Sequence, residues 1–256
     1  MSDLADLAAE EIRAAILRGD LSPGSRVRQE ELAVRLAVSR APVRQALLVL
    51  EREGLVQTDR SRGTIVAALD ADLIRDLYGF REGVERFVAE TLAQRTAISL
   101  TPVADVVAAG RAAASDGDVS VLIDLDLQFH TALYEAAGNR ILSDVMRGQW
   151  VNMRRVMAAT LTVVGYPLQI WAEHAAILDA IVAHDPPRAG ALASAHTRTA
   201  SVVLVENLVR REFEATEKTE KKPPESPSRD EPRVERRRRN VGAGADRIPS
   251  NLDRGR

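Results

Sequence analysis

The stretch Val38-Ser39-Arg40-Ala41-Pro42-Val43-Arg44-Gln45-Ala46-Leu47, continued by Leu48-Val49-Leu50-Glu51-Arg52-Glu53-Gly54, decides how the rest of the chain is read. Val43, Ala46 and Leu50 recur at helical spacing and predict a buried stripe. Ser39 or Ala41 can cap this helix, Pro42 falls in its first turn, where a missing N–H costs nothing, and Gly54 ends it. Arg40 and Arg44 are four residues apart, about 40° around the helix, and lie off the stripe. Guanidinium forks bind phosphates and guanine edges bidentately, so two arginines opening a short helix suit DNA recognition. Taken alone, the stretch is better read as an ordinary amphipathic helix with solvated arginines.

The neighbours shift that balance. Upstream, Arg28-Gln29-Glu30-Glu31-Leu32-Ala33-Val34-Arg35-Leu36-Ala37 predicts a short helix ending just before Val38-Ser39, which gives a helix-turn-helix. Downstream, Gly54-Leu55-Val56-Gln57-Thr58 and Thr64-Ile65-Val66-Ala67 predict two strands around the basic turn Asp59-Arg60-Ser61-Arg62-Gly63, a β-hairpin wing. With a helix over 4–18, whose apolar positions are Leu7, Ile12, Ala15 and Ile16, residues 1–69 read as a winged helix-turn-helix.

Residues 5–67 resemble the DNA-binding domain of the GntR transcriptional regulators. The resemblance is carried by Ile16-Leu17-Arg18-Gly19-Asp20-Leu21-Ser22-Pro23-Gly24, Glu31-Leu32-Ala33, Val38 through Leu47, Leu50-Glu51, Glu53-Gly54-Leu55-Val56 and Arg62-Gly63. It implies that Ser39, Arg40 and Arg44 contact operator DNA and that Gly63 sits at the wing tip. The candidate DNA-binding set is therefore Arg28, Ser39, Arg40, Pro42, Arg44, Arg62 and Gly63. Ala37 stands where the family commonly has glycine, and alanine fits there if the backbone stays out of the left-handed region.

Composition sets the bounds. Hydrophobic residues make up 45% and aromatics only 4%, so the bulk of the 256 residues is expected to be helical, in a small and a medium domain. The absence of cysteine excludes disulfides and thiolate metal sites and fits a reducing, cytoplasmic setting. The acidic start Met1-Ser2-Asp3-Leu4-Ala5-Asp6 is not a signal peptide, and no apolar run spans a membrane. Residues 1–69 carry 10 basic and 10 acidic side chains. DNA binding then requires Arg28, Arg40, Arg44, Arg60 and Arg62 to be sorted onto one face, because local potential attracts phosphate.

From about residue 71 the pattern is helical, with expected helices over 71–96, 101–115, 119–137, 140–160, 167–183 and 187–212. Breaks fall at Asp116-Gly117-Asp118, Gly138-Asn139, Gly165-Tyr166-Pro167 and His184-Asp185-Pro186-Pro187. Six helices on short turns predict an antiparallel bundle over 70–213, so the fold class is mainly α. Residues 214–256, with Lys221-Lys222-Pro223-Pro224 and Glu235-Arg236-Arg237-Arg238-Arg239, read as a disordered charged tail.

The bundle contains a second constellation. Asp126 and His130 are one helical turn apart, and His174 and His196 lie on the last two helices with a Pro-Pro turn between them. The four could converge on a divalent cation, zinc first, with nickel, manganese, cobalt or iron also suited to imidazole and carboxylate. Residues 72–205 resemble the FCD ligand-binding domain of the FadR-like branch of the GntR family. The residues that carry this resemblance are Arg81, Glu85, Asp126-Leu127-Gln128-Phe129-His130, Leu133-Tyr134, Gly138-Asn139, Glu173-His174, Ile177, Ala180-Ile181, Asp185 and His196. It implies that Asp126, His130, His174 and His196 ligate a metal and that a small carboxylate effector binds beside it. Arg81 is a candidate partner for that acid, although an ion pair with Glu85 explains it equally well. Arg154 and Arg155 are weaker candidates, and His184 reads as a solvated loop histidine.

Together these features predict a cytoplasmic, homodimeric transcriptional regulator, most often a repressor, that meets a near-palindromic operator and is coupled to its effector through the Ala67–Asp70 linker. Two alternatives use the same residues: a metal-dependent hydrolytic enzyme, and a regulator that senses the metal ion itself.

Overall fold

The computed structural model describes residues 3–115, 117–164 and 169–220. The expected break at Gly165-Tyr166-Pro167, Asp116 and the chain from 221 onward lie outside the described residues.

The N-terminal part is three helices and a hairpin: α1 (Asp3–Arg18), α2 (Gln29–Arg35), α3 (Arg40–Arg52), β1 (Val56–Asp59) and β2 (Gly63–Val66). The hairpin is antiparallel, with Val56 opposite Val66 and Asp59 opposite Gly63. Residues 24–27 lie along the outer edge of β2, donating from Gly24 N to Val66 O (2.9 Å) and from Val27 N to Thr64 O (2.8 Å). Ile12, Val43, Ala46, Leu50 and Leu55 are fully buried at the centre, which is the stripe expected of α3 closed by α1 and the wing. Leu7 departs from expectation. It is 54% exposed, because α1 buries its small residues Ala5, Ala8 and Ala9 instead and so approaches α3 closely.

Two helices of this domain end in the same motif. After α3, Gly54 (φ +73°) lets Leu55 N reach Leu50 O and Gly54 N reach Glu51 O. After α2, Val38 N reaches Ala33 O and Ala37 N reaches Val34 O, with Ala37 at φ +52°. The expectation that Ala37 avoids the left-handed region is thus overturned. The tight turn demands that conformation, and alanine adopts it at a cost of about 1–2 kcal/mol.

The rest is helical: α4 (Ala71–Ala93), α5 (Thr101–Ala113), α6 (Val119–Ala137), α7 (Arg140–Val164), α8 (Ile170–Val182) and α9 (Pro186–Glu220). Asp70 caps α4 through Leu73 N, and Asp118 caps α6 through Ser120 N and Val121 N. Asp185 accepts from Arg188 N at the start of α9, where Pro186 and Pro187 need no partner. The last helix runs past its expected end at 212 and into the expected tail, because Glu214 to Glu220 is charged but rich in helix formers, and the next proline is Pro223.

α4 and α9 pack along much of their length and carry the bundle core with α6, α7 and α8. α4 buries Ile74, Leu77, Tyr78, Val88 and Leu92, while Phe80 and Phe87, counted as apolar positions, are about half exposed. Arg81 and Glu85 turn inward instead, buried to 1% and 2% exposure. Close packing also fixes a glycine: a Cβ on Gly110 of α5 would lie 2.2 Å from the Trp171 ring.

Candidate functional site

Two sets of residues carry chemistry, one on the surface of the winged domain and one inside the bundle. On the surface, α3 begins at Arg40 with Ser39 as its N-cap, and the Ser39 hydroxyl makes no capping hydrogen bond. Arg40, Arg44, Arg28 and Arg62 are all exposed. Three of them are occupied: Arg40 pairs with Glu30 (2.6 Å), Arg28 with Glu31 (2.8 Å) and Arg62 with Asp59 (3.2 Å). These pairs explain how a domain with equal numbers of both charges presents arginines. Exposed pairs hold by under about 1 kcal/mol and exchange readily for phosphate. Arg44 forms no ion pair among the described residues. Pro42 is a correction: it is buried against the domain core, so its role is to start the helix, and it lies off the exposed basic face.

The wing tip is rigidly built. The Asp59 carboxylate accepts from Ser61 N (2.8 Å), the Ser61 hydroxyl (2.7 Å) and Arg62 N (2.8 Å), which holds its carboxyl well below the usual range. Gly63 follows at φ +76°, a conformation that suits glycine, and so returns the chain into β2.

Inside the bundle, Asp126, His130, His174 and His196 come together, with one ligand atom from each within 4.8 Å of the others. All four are buried. His174 Nε2 lies 3.3 Å from His196 Nε2 and 3.4 Å from Asp126 Oδ1, and His130 Nε2 lies 4.0 Å from Asp126 Oδ2. Bonds of about 2.1 Å in a tetrahedral shell place ligand atoms about 3.4 Å apart, so the donor set fits a transition metal with little adjustment. Burial keeps the His130 imidazole, and more strongly that of His174, below the usual pKa, and the neutral ring is the ligand form.

Orientation comes from a second layer of side chains. His130 Nδ1 lies 2.7 Å from Glu85 Oε1, and His196 Nδ1 lies 2.8 Å from Glu173 Oε2. A carboxylate behind an imidazole fixes the proton on the outer nitrogen and turns the inner lone pair to the centre. His174 is held by packing instead, stacked on Phe129 (4.0 Å between centroids) and edge-on to Trp171 (4.9 Å).

Glu85 is the hub. Its Oε1 also accepts from Tyr134 OH (2.5 Å) and Arg81 Nε (3.1 Å). Burial alone would raise this carboxyl; contact with His130, Arg81 and Tyr134 holds it well below the usual range. Burial likewise opposes the Arg81 charge, and Glu85 outweighs it, so the guanidinium stays charged. Of the two readings of Arg81, the ion pair with Glu85 is made. Nε pairs with Glu85, while Nη2 is buried with no hydrogen-bond partner among the described residues, and Arg81 lines a cavity with Asp126, His196 and Glu173. The remaining cavity wall is largely apolar, with Met157, Leu161, Ile170, Val203 and Leu204.

Two expectations are corrected here. Arg154 pairs with Asp124 and Arg155 donates to Ala67 O, so neither belongs to the cavity. His184 stays outside the cluster and is exposed in the turn after α8, as expected; it sits at φ +53° with Nδ1 3.0 Å from Ala93 O at the end of α4. Sequence reasoning missed the orienting roles of Glu85, Glu173 and Tyr134. Their signal was adjacency to the ligands along the helices, one residue before His174 and one turn beyond His130 and Arg81.

Comparison with known proteins finds matches for both domains. Residues 4–66 match the model of the bacterial regulatory proteins of the gntR family, and residues 76–199 match the FCD domain. An HTH-type transcriptional regulator in an unstable DNA locus of Streptomyces ambofaciens is 30% identical over 189 residues, covering 73% of this chain and 79% of that protein. The HTH-type transcriptional repressor NanR of an Enterobacter species is 26% identical over 223 residues, covering 77% of this chain and 84% of that one. Among solved structures, a GntR transcriptional regulator from Rhodococcus sp. RHA1 superposes with a TM-score of 0.68 at 25% identity, covering 79% of this chain and 97% of that one.

Proposed function

Because the chain belongs to the GntR family of DNA-binding transcriptional regulators, in the branch that carries an FCD domain, we propose that it is a repressor released by a small carboxylic acid bound beside a divalent metal in the helical bundle. The observation that carries this reading is Arg81, whose Nη2 is buried without a hydrogen-bond partner among the described residues and which lines the cavity together with Asp126 and His196. An unpaired buried donor costs about 1–3 kcal/mol, and a carboxylate oxygen in that cavity would satisfy it. Asp126, His130, His174 and His196 would hold the ion, zinc first by its preference for imidazole and carboxylate. When bound, the ion supplies a positive centre to which a second carboxylate oxygen can bind. Arg81 orients the acid, and the apolar wall from Leu161 to Leu204 packs its carbon skeleton.

On the DNA side, Ser39, Arg40 and Arg44 at the start of α3 enter the major groove, and Arg28, Arg62 and Gly63 follow the backbone from α2 and the wing. Recognition of a near-palindromic operator by two such helices makes the working unit a homodimer acting in the cytoplasm. The name of the Enterobacter relative, a repressor, supports the direction of regulation. No helix among the described residues is long and apolar enough to cross a membrane.

The test is metal analysis of the purified chain by mass spectrometry, followed by thermal melts with a panel of small carboxylic acids. The expected result is about one transition metal per chain and at least one acid that raises the melting temperature. A melting temperature that no acid of the panel raises, in protein carrying metal, removes the effector reading. Protein that binds no added zinc removes the metal.

A further inference from the structure

Arg155 is a buried guanidinium that no carboxylate neutralises among the ion pairs of the described residues, and burial pushes it down to about 10. Its neighbour one turn back on α7 is Asn152, also buried. Neither faces the cavity. Asn152 Nδ2 donates to Glu53 O at 2.6 Å, and Arg155 donates to Ala67 O. Glu53 is the C-terminal cap of α3, and Ala67 is the first residue after β2. The two contacts therefore grip the winged domain at the end of α3 and at the base of its wing. Val151, beside Asn152, packs into the core of the winged domain itself. Glu53 is fixed from the other side as well, since its carboxylate receives Arg13 of α1 in a fork at 2.8 to 3.1 Å.

The opposite face of the same helix looks into the bundle. Met157 and Leu161 line the cavity. Trp150 stacks on Tyr134 at 5.6 Å between ring centroids and an interplanar angle of 9°, and the Arg81 guanidinium sits 5.7 Å from the Trp150 ring. Tyr134 and Arg81 both bond to Glu85, the carboxylate behind His130. One helix thus touches the cavity on one side and, on the other, the base of the winged domain where α3 and β2 end side by side. Its grip is also incompletely satisfied: Asn152 Oδ1 and Arg155 Nη1 are buried without hydrogen-bond partners among the described residues, so the contact is held below its full strength.

We propose that α7 is the lever joining cavity to DNA-binding domain, and that Asn152 and Arg155 are positioning residues that set the orientation of α3 on the bundle. The lever's use as a signal path rests on the effector reading above; its role in orientation does not. This places the coupling on a helix face in addition to the Ala67–Asp70 linker. A rigid element with distinct contacts at both ends is the physical requirement for such coupling.

The chain contains no cysteine, so spin labels can be placed on introduced cysteines without background. Gln57→Cys on β1 and Asp105→Cys on α5 are exposed positions, one in each domain. Pulsed electron resonance is run on labelled full-length chain diluted into excess unlabelled protein, without metal and with added Zn²⁺. In the Asn152→Ala/Arg155→Met variant the interdomain distance distribution should broaden about twofold, or split, while the circular dichroism spectrum stays that of the parent. An unchanged distribution overturns the orienting role. Should the double variant unfold, Asn152→Ala and Arg155→Met are measured singly, and each should give part of the broadening. Added Zn²⁺ should shift the parent distribution and leave that of the double variant unshifted. An equal shift in both sends the coupling through the linker and overturns the lever. No shift in parent protein that carries zinc overturns it too. Parent protein that takes up no zinc sinks the metal reading instead, and the metal-free distributions then decide the orienting role alone.

Discussion

The winged domain and the bundle use the same residue types under opposite conditions. In the winged domain, Arg28, Arg40 and Arg62 are exposed and each rests on an acidic neighbour. In the bundle, Arg81 and Glu85 are buried at 1% and 2% exposure, and Glu85 serves three partners at once. Water screens the first set, so those pairs are weak and can be traded for phosphate. The second set has no water to fall back on, so each lost partner leaves a stranded charge. Surface charge is therefore suited to a partner that comes and goes with ionic strength. Buried charge is suited to a ligand that completes a network.

That contrast can be broken in several places. Glu85→Ala strands Arg81 and should cost the bundle about 3–5 kcal/mol in denaturant unfolding. A loss under about 1 kcal/mol, the surface-pair value, would erase the distinction. Arg44→Ala should weaken binding to an operator duplex selected from a random pool by about 1–3 kcal/mol, with relaxed preference at one base position. Unchanged affinity would remove Arg44 from the interface. In metal-free protein, the depressed pKa of His130 and His174 makes bundle stability complete above about pH 6.5 and declining below it, where the unfolded chain gains the protons first. Thermal melts between pH 7.5 and 5.5 should show this fall, and a flat profile would contradict buried neutral rings. Ala37→Gly should raise the stability of the chain by about 1 kcal/mol by relieving the left-handed alanine. A decrease would mean that the gain in unfolded-state freedom outweighs the strain. Glu30→Gln should leave stability within about 0.5 kcal/mol of the parent and strengthen DNA binding modestly by freeing Arg40. Weaker binding would mean that Glu30 aims Arg40 rather than occupying it.

Much of this was legible in the chain. Punctuation marked the elements: Pro42, Gly54, Asp70, Asp118 and Gly138 lie at or near helix ends because their backbone or side-chain chemistry belongs there. The four cluster residues were legible because i, i+4 spacing and a short turn between helices bring residues together predictably. Burial within α4 was not. Phe80 and Phe87 look like core, yet Arg81 and Glu85 turn inward instead, because a mutually satisfied ionic network can replace apolar contacts. The left-handed Ala37 was missed for a related reason: the turn imposes the conformation and the residue type tolerates it. The grip of α7 on the winged domain rests on side chains bonding to main-chain carbonyls 88 and 99 residues away, which no local pattern encodes.

The placement of the aromatic rings gives the protein a built-in optical gauge. Its two tryptophans, Trp150 and Trp171, both stand beside the histidine cluster, at 6.3 Å from His130 and 4.9 Å from His174 between ring centroids. Residues 1–69 contain no aromatic side chain at all. Indole emission from the untouched protein therefore reports on the bundle interior alone, with no background from the DNA-reading half. A quenching ion such as nickel or copper entering the cluster should dim it, whereas zinc should shift its colour by rearranging the rings without darkening them.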